Sequence, residues 1–170
     1  MTITKDKMKK IILSLAVASA LTSTLSAQKT LQKSIGIGTS STEIMNESGI
    51  SYSLSYSFKA TTYNNFVWGS GFFAEHADIN DIEMFGLGAE LIAGYQFTDN
   101  LSTYAILGAK RQTLNDSINS LGIGYGIAAQ YDIAKYFAIE TRYMNYDMII
   151  DPIGEYTNPN IKVNFKITWE

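Results

Sequence analysis

The sequence predicts an all-β chain that folds as an eight-stranded antiparallel up-and-down transmembrane β-barrel. Three observations predict it. Eight segments alternate apolar and polar residues, the polar face is made mostly of serine and glycine, and the connectors alternate in length along the chain. Composition fits a chain with few water-facing groups. Hydrophobic residues make up 46% and charged residues 17% of the 170 positions, below the roughly 25% charged residues of ordinary soluble domains. A net charge of −3 gives no basic face for nucleic acid. The absence of cysteine excludes disulfides, thiolate metal sites, a thiol nucleophile and a lipid-anchored cysteine.

The first element in the chain is a targeting segment. "MTITKDKMKK" carries four lysines, and "IILSLAVASALTSTLSA" is an apolar stretch that fades into small residues. That order predicts a signal peptide over residues 1–27 and a barrel domain over 28–170. Cleavage falls after Ala27, or after Ala20 in the alternative reading. The strongly apolar part, Ile11 to Leu21, is short for a membrane-spanning helix.

The strand segments follow in order. In "KSIGIGTS", Ile35 and Ile37 oppose Ser34, Gly36 and Gly38. In "GISYSLSYSFK", Ile50, Tyr52, Leu54, Tyr56 and Phe58 alternate with four serines. In "FVWGSGFFAE", Phe66, Trp68 and Phe72 share a face opposite Gly69 and Gly71. In "FGLGAELIAGYQF", the odd positions from Phe85 to Phe97 are apolar, and Gly86, Gly88, Glu90, Gly94 and Gln96 face the other way, with Ile92 the exception. "LSTYAILGAKRQ" is the least clear, because neither face is cleanly polar. "LGIGYGIAAQY" sets Leu121, Ile123, Tyr125, Ile127 and Tyr131 against glycines, Ala128 and Gln130. "YFAIETRYMNY" sets Phe137, Ile139 and Tyr143 against Ala138, Glu140 and Arg142. "NIKVNFKITW" sets Ile161, Val163, Phe165, Ile167 and Trp169 against Asn160, Lys162, Asn164, Lys166 and Thr168. Successive strand side chains point to opposite faces, so each pattern defines two surfaces.

"TDN" and "DIAK" are tight connectors and "ATTYNN" is slightly longer. "STEIMNES", "HADINDIEM", "TLNDSINS" and "DMIIDPIGEYTNP" are longer and more acidic. Short turns at one end and long loops at the other is the outer-membrane arrangement, and an even strand number leaves no free edge.

Periodicity alone does not orient the faces, since a lipocalin also has eight alternating strands with its apolar side inward. The polar face decides. Serine and glycine suit a crowded lumen, and its charges balance: Glu90 and Glu140 would meet Arg142, Lys162 and Lys166 as one ion-pair network. On the apolar face, Trp68, Tyr95, Tyr131, Phe137, Phe165 and Trp169 are read as an interfacial aromatic girdle.

"GYQFTDNLSTYAILGAK" and "GIGYGIAAQYDIAKYFAIETRY" resemble the strand–turn–strand signatures of the small outer-membrane β-barrel superfamily, which includes the OmpA transmembrane domain, the OmpX/Ail group and the opacity proteins. The shared elements are Gly94, Tyr95, Phe97, Leu101 and Gly108, then Gly122, Gly124, Tyr131, Ala138, Glu140, Arg142 and Tyr143. The chain departs from the pattern by ending Trp169-Glu170 rather than on an aromatic residue. The resemblance implies an outer-membrane location, and it implies outer-membrane lipid and lipopolysaccharide, the barrel-assembly machinery and an extracellular partner at the loops as its contacts. It implies no cofactor.

Candidate chemistry is sparse. His76 in "AEHADIN" is the only histidine; an acyl-transfer triad needs a serine near it as well as an acid, and no serine lies beside it in the same strand, which leaves only a serine from another strand, for which nothing in the sequence speaks. Asp78, Asp81 and Glu83, with Glu43, Glu47, Asp116, Asp151 and Glu155, read as a solvated acidic end whose spacing matches no calcium loop. The glycines of "GIGYG" alternate within a strand, and no helix follows to make a phosphate cradle. The leading expectation is a non-enzymatic barrel with a structural or surface-interaction, adhesin-like role, its lumen filled by polar side chains. "MIIDPIGEY" is its best contact candidate. A small ion-conducting porin is the alternative, and a lipid A-modifying enzyme is a third class.

Overall fold

The computed structural model describes residues 28–44, 47–80, 82–115, 118–150 and 154–170; the predicted signal peptide lies outside the described residues. Eight strands run in chain order: β1 (Gln28–Ile44), β2 (Glu47–Thr62), β3 (Phe66–Ile79), β4 (Ile82–Gln96), β5 (Leu101–Leu114), β6 (Ile118–Ala134), β7 (Phe137–Ile150) and β8 (Gly154–Trp169). Each pairs antiparallel with its sequence neighbour, and β1 pairs with β8 from Lys33↔Trp169 to Thr42↔Asn160, closing the barrel. Closure satisfies the inter-strand backbone groups, which an apolar solvent cannot do.

Side-chain parity holds through each strand. Ile50, Tyr52, Leu54 and Tyr56 of β2 are exposed, while Ser51, Ser53 and Ser57 are buried in the lumen. The same exposed apolar row appears as Phe85 and Leu87 in β4, Tyr125, Ile127 and Tyr131 in β6, and Ile161, Phe165 and Ile167 in β8. A continuous apolar surface of this size does not face water. On β4 the belt runs from Phe85 to Tyr95 and on β8 from Ile161 to Trp169, close to the 9–11 residues that cross a hydrocarbon layer.

The structure corrects the predicted long loops. The strands are 14 to 17 residues long, and connections at both ends are only two to four residues. The acidic segments are mostly strand that continues beyond the belt. There the alternation changes sign. Asp78, Glu83, Asp147 and Glu155 point outward and are exposed, while Ala77, Ile79, Met84, Leu114 and Ile150 point inward and pack as one apolar cluster. Apolar-in and polar-out is the pattern of a sheet standing in water. The barrel therefore carries both solvent patterns, and the switch marks where it leaves the belt. Asn65, Asn80 and Asn115 take positive φ at the hairpin turns, a conformation asparagine tolerates better than most residues.

The lumen glycines have a packing role. Gly88 lies directly opposite Phe73, Gly124 opposite Tyr146 and Gly122 opposite Met148. A Cβ at any of the three would collide with that facing side chain. The glycines of β4 and β6 thus make room for large inward residues of β3 and β7.

Two predictions follow from this architecture. Leu87→Arg places a charge in the belt and is expected to destabilise the barrel in lipid vesicles by about 2–4 kcal/mol. Glu83→Arg, on the same face of β4 but beyond the belt, is expected to shift the urea midpoint little. Gly124→Ala is expected to cost about 1–3 kcal/mol by overpacking. Combining it with Tyr146→Leu should recover part of that loss, read as a coupling in a double-mutant cycle.

Candidate functional site

The lumen of an eight-stranded barrel is just wide enough to be filled by side chains, and the chemistry of this chain is concentrated there. Eight charged residues are buried: Lys59, Glu75, Glu90, Lys110, Glu140, Arg142, Lys162 and Lys166. Seven of them sort into two ion-paired groups, and Lys59 belongs to neither. In the first, β7 supplies Glu140 and Arg142, two residues apart and therefore on one face. Arg142 reaches Glu90 of β4 at 2.7 Å and also pairs with Glu140. Glu140 further accepts from Lys166 at 2.6 Å, from Asn164 at 3.0 Å and from the Tyr104 hydroxyl. In the second group, Glu75 of β3 pairs with Lys110 of β5 at 2.7 Å and Lys162 of β8 at 3.5 Å.

The five residues expected to form one network are thus divided. Glu90, Glu140, Arg142 and Lys166 are joined, while Lys162 turns to Glu75. Lys162 stands directly opposite Arg142 across the β7–β8 ladder, so the two cations share no carboxylate and each faces a different one. Glu75, Lys110 and Lys59 were missed from the sequence. Glu75 shares parity with Gly71 and Lys59 with Ser57, both already placed inward; Lys110 lies in the segment whose faces the sequence left unassigned.

The lumen is also not polar throughout. Phe73, Ile92, Tyr104, Ile106, Met144, Tyr146 and Met148 form a second buried apolar cluster. The "MIIDPIGEY" stretch is reassigned with it. Met148 and Ile150 are buried inside the barrel, and residues 151–153 lie outside the described residues. Met148 and Ile150 thus fill the interior rather than an exposed loop.

Of the aromatic residues on the apolar face, Tyr95, Tyr131, Phe137 and Trp169 stand at strand ends on the turn side, joined there by Phe66 and Tyr136. Trp68 lies one outward position deeper. Phe165 lies in the middle of the belt, opposite Ile139 and Ile37. His76 is exposed on the outer wall of β3, with Tyr52 and Phe85 as its cross-strand partners. Neither supplies a nucleophile or an orienting acid. Among the described residues no three histidine or acidic side chains come together as a metal site. Asp81, Asp116 and Asp151 lie outside the described residues.

No protein-family model matches the chain, and no curated protein sequence matches it. Solved structures do. Neisserial surface protein A (NspA) aligns at a TM-score of 0.56 and 12% identity, over 81% of this chain and 96% of that one. Ail, the attachment invasion locus protein of Yersinia pestis, aligns at 0.54 and 15% identity, over 85% of this chain and 100% of that one. The backbone structure of Ail in a phospholipid bilayer nanodisc aligns at 0.51 and 13% identity, covering 80% and 99%.

The Glu140 centre yields a direct prediction. Glu140→Ala leaves Arg142 and Lys166 without their shared carboxylate, and it is expected to destabilise the barrel by about 3–5 kcal/mol in urea titrations. Glu90→Gln removes only one of two carboxylates on Arg142 and should cost clearly less. The order of these two losses tests which carboxylate anchors the group.

With its closed ladder, outward apolar belt and filled lumen, the chain has the fold of the small eight-stranded outer-membrane β-barrels.

Proposed function

We propose that this protein is a non-enzymatic outer-membrane β-barrel that acts through its outer surface rather than through its lumen. The observation that carries the reading is the double closure of the interior. An apolar cluster of Ala77, Ile79, Met84, Leu114 and Ile150 fills the end where β3 joins β4, β5 joins β6 and β7 joins β8, the hairpin end, and paired ions fill the middle. A closed interior leaves the wall and the hairpin ends as working surfaces. The hairpin ends present Asp78, Glu83, Asp147 and Glu155 outward, so the contact surface is acidic and hydrophilic. The outer-membrane setting is supported by the apolar belt and by the fold shared with NspA and Ail. An adhesin-like or envelope-stabilising role suits such a surface.

Planar-bilayer recording of the purified protein tests the closed interior, and a silent bilayer is the expected result. Ion conductance lost in Glu140→Gln would instead favour a small porin. The surface role is tested with cells displaying the barrel on a panel of immobilised extracellular proteins. Neutralising Asp78, Glu83, Asp147 and Glu155 to the corresponding amides is expected to lower adherence while the heat-modifiable gel band stays unchanged. These positions probe the outer face without opening the apolar cluster, which deleting residues 148–156 would do. Adherence identical to wild type would count against the surface reading.

A further inference from the structure

The turn end of the barrel is built differently from the hairpin end. It opens into a cavity of about 400 Å³ lined by Gln32, Lys59, Ser102, Gln130, Asp132 and Thr168, among others. Lys59 is only 4% exposed, yet it borders this cavity. The four other buried cations each have a carboxylate partner, on Glu75, Glu90 or Glu140. Lys59 has no ion-pair partner among the described residues. Its ammonium donates to the Gln130 side-chain oxygen and lies 4.9 Å from the centre of the Tyr104 ring.

An ammonium carries three N–H donors, and a buried charge without a counter-charge is costly. The amide of Gln130 is committed in one orientation. Its nitrogen donates to Gln32 at 3.1 Å and to Asp132 at 2.7 Å, so its oxygen stays on Lys59. Asp132 is engaged by Gln130 and, at 3.4 Å, by Gln32. The remaining donor capacity of Lys59 has no acceptor among the described residues and adjoins a polar cavity.

We propose that this vestibule is a binding site for a small monovalent anion, with Lys59 as its charge partner. Asp99, Asp132 and Glu170 line the same cavity together with Lys135, and the excess of like charge at the approach disfavours multivalent or bulky anions. A compact halide-sized ion fits both the floor and the rim. The site opens toward the turn side, and at the hairpin end the apolar cluster lies in the interior among the described residues. It stands apart from the surface role, so either reading can fail without the other.

Bromide serves as the probe. Crystals of the full barrel in detergent are soaked in sodium bromide and measured at the bromine absorption edge. An anomalous peak within hydrogen-bonding distance of the Lys59 ammonium is expected in the wild type, and its loss in Lys59→Met. Line broadening of the chloride-35 resonance in detergent solution gives a second readout, expected to fall several-fold towards background in Lys59→Met and to persist in Lys110→Met, whose cation already has Glu75. Heat-modifiability on a gel verifies that each variant has folded. A wild-type crystal without a peak beside Lys59 overturns the proposal whatever the variants do. A peak or broadening that survives in Lys59→Met marks an adventitious ion only, and overturns it equally.

Discussion

The structure depends on one constraint: inside a hydrocarbon layer a backbone N–H or C=O can bond only to another part of the chain. The chain meets it by pairing β1 with β8 and closing the sheet. Closure with eight strands then fixes the interior. The circumference is small, so each inward side chain meets others across the lumen, and inward residues must be complementary in size and charge. Glycine facing Phe73, Tyr146 or Met148 is one solution. Carboxylates of β3 and β4 reaching cations of β5 and β7 are another. Neither would be required in an open sheet with one face in water.

The fold was largely legible because parity is a local property. A strand's two faces follow from alternation alone, and "SYSLSYSF" declares them without reference to any other strand. What misled was the assumption that the same sign of alternation continues to the strand ends. In "HADINDIEM" the apolar residues are Ile79, Ile82 and Met84 and the acids lie between them, which reads as an irregular acidic loop if the outward face must be apolar. With the sign reversed it is the end of one strand and the start of the next, Asp78 and Glu83 out, Ile79 and Met84 in. The reversal has a physical cause. Past the belt the outer face meets water, while the lumen still needs filling, and apolar side chains fill it without requiring partners.

The site was less legible, and for a different reason. Parity assigns a residue to the lumen but does not name its neighbour there. Lys162 and Arg142 are both inward, and only the β7–β8 register shows that they stand opposite each other and must be served by different carboxylates. Arg142 meets Glu90 across the barrel, from strands three apart in order, a proximity set by closure rather than by sequence separation. Segment five hid Lys110 because Tyr104 and Ile106 are inward while Leu107 is outward, which leaves both faces apolar. Ile106 and Tyr104 belong to the internal apolar cluster, so the ambiguity reflects a lumen of mixed chemistry.

That mixture also explains how the interior holds more cations than carboxylates. Five buried cations stand against Glu75, Glu90 and Glu140. Three of the lysines lie over ring faces: Lys110 on Tyr146 at 4.8 Å, Lys162 on Phe73 at 5.0 Å and Lys59 on Tyr104 at 4.9 Å. A ring face is a weak acceptor of positive charge, enough to supplement a carboxylate but not to replace one. Lys110 and Lys162 have both kinds of support through Glu75. Lys59 has the ring and an amide oxygen alone, and it is the one placed beside the open cavity, where solvent or an ion can reach it. The buried charges are therefore graded along the axis. The cations with carboxylate partners lie further along the lumen, and the one without a carboxylate borders the cavity at the turn end.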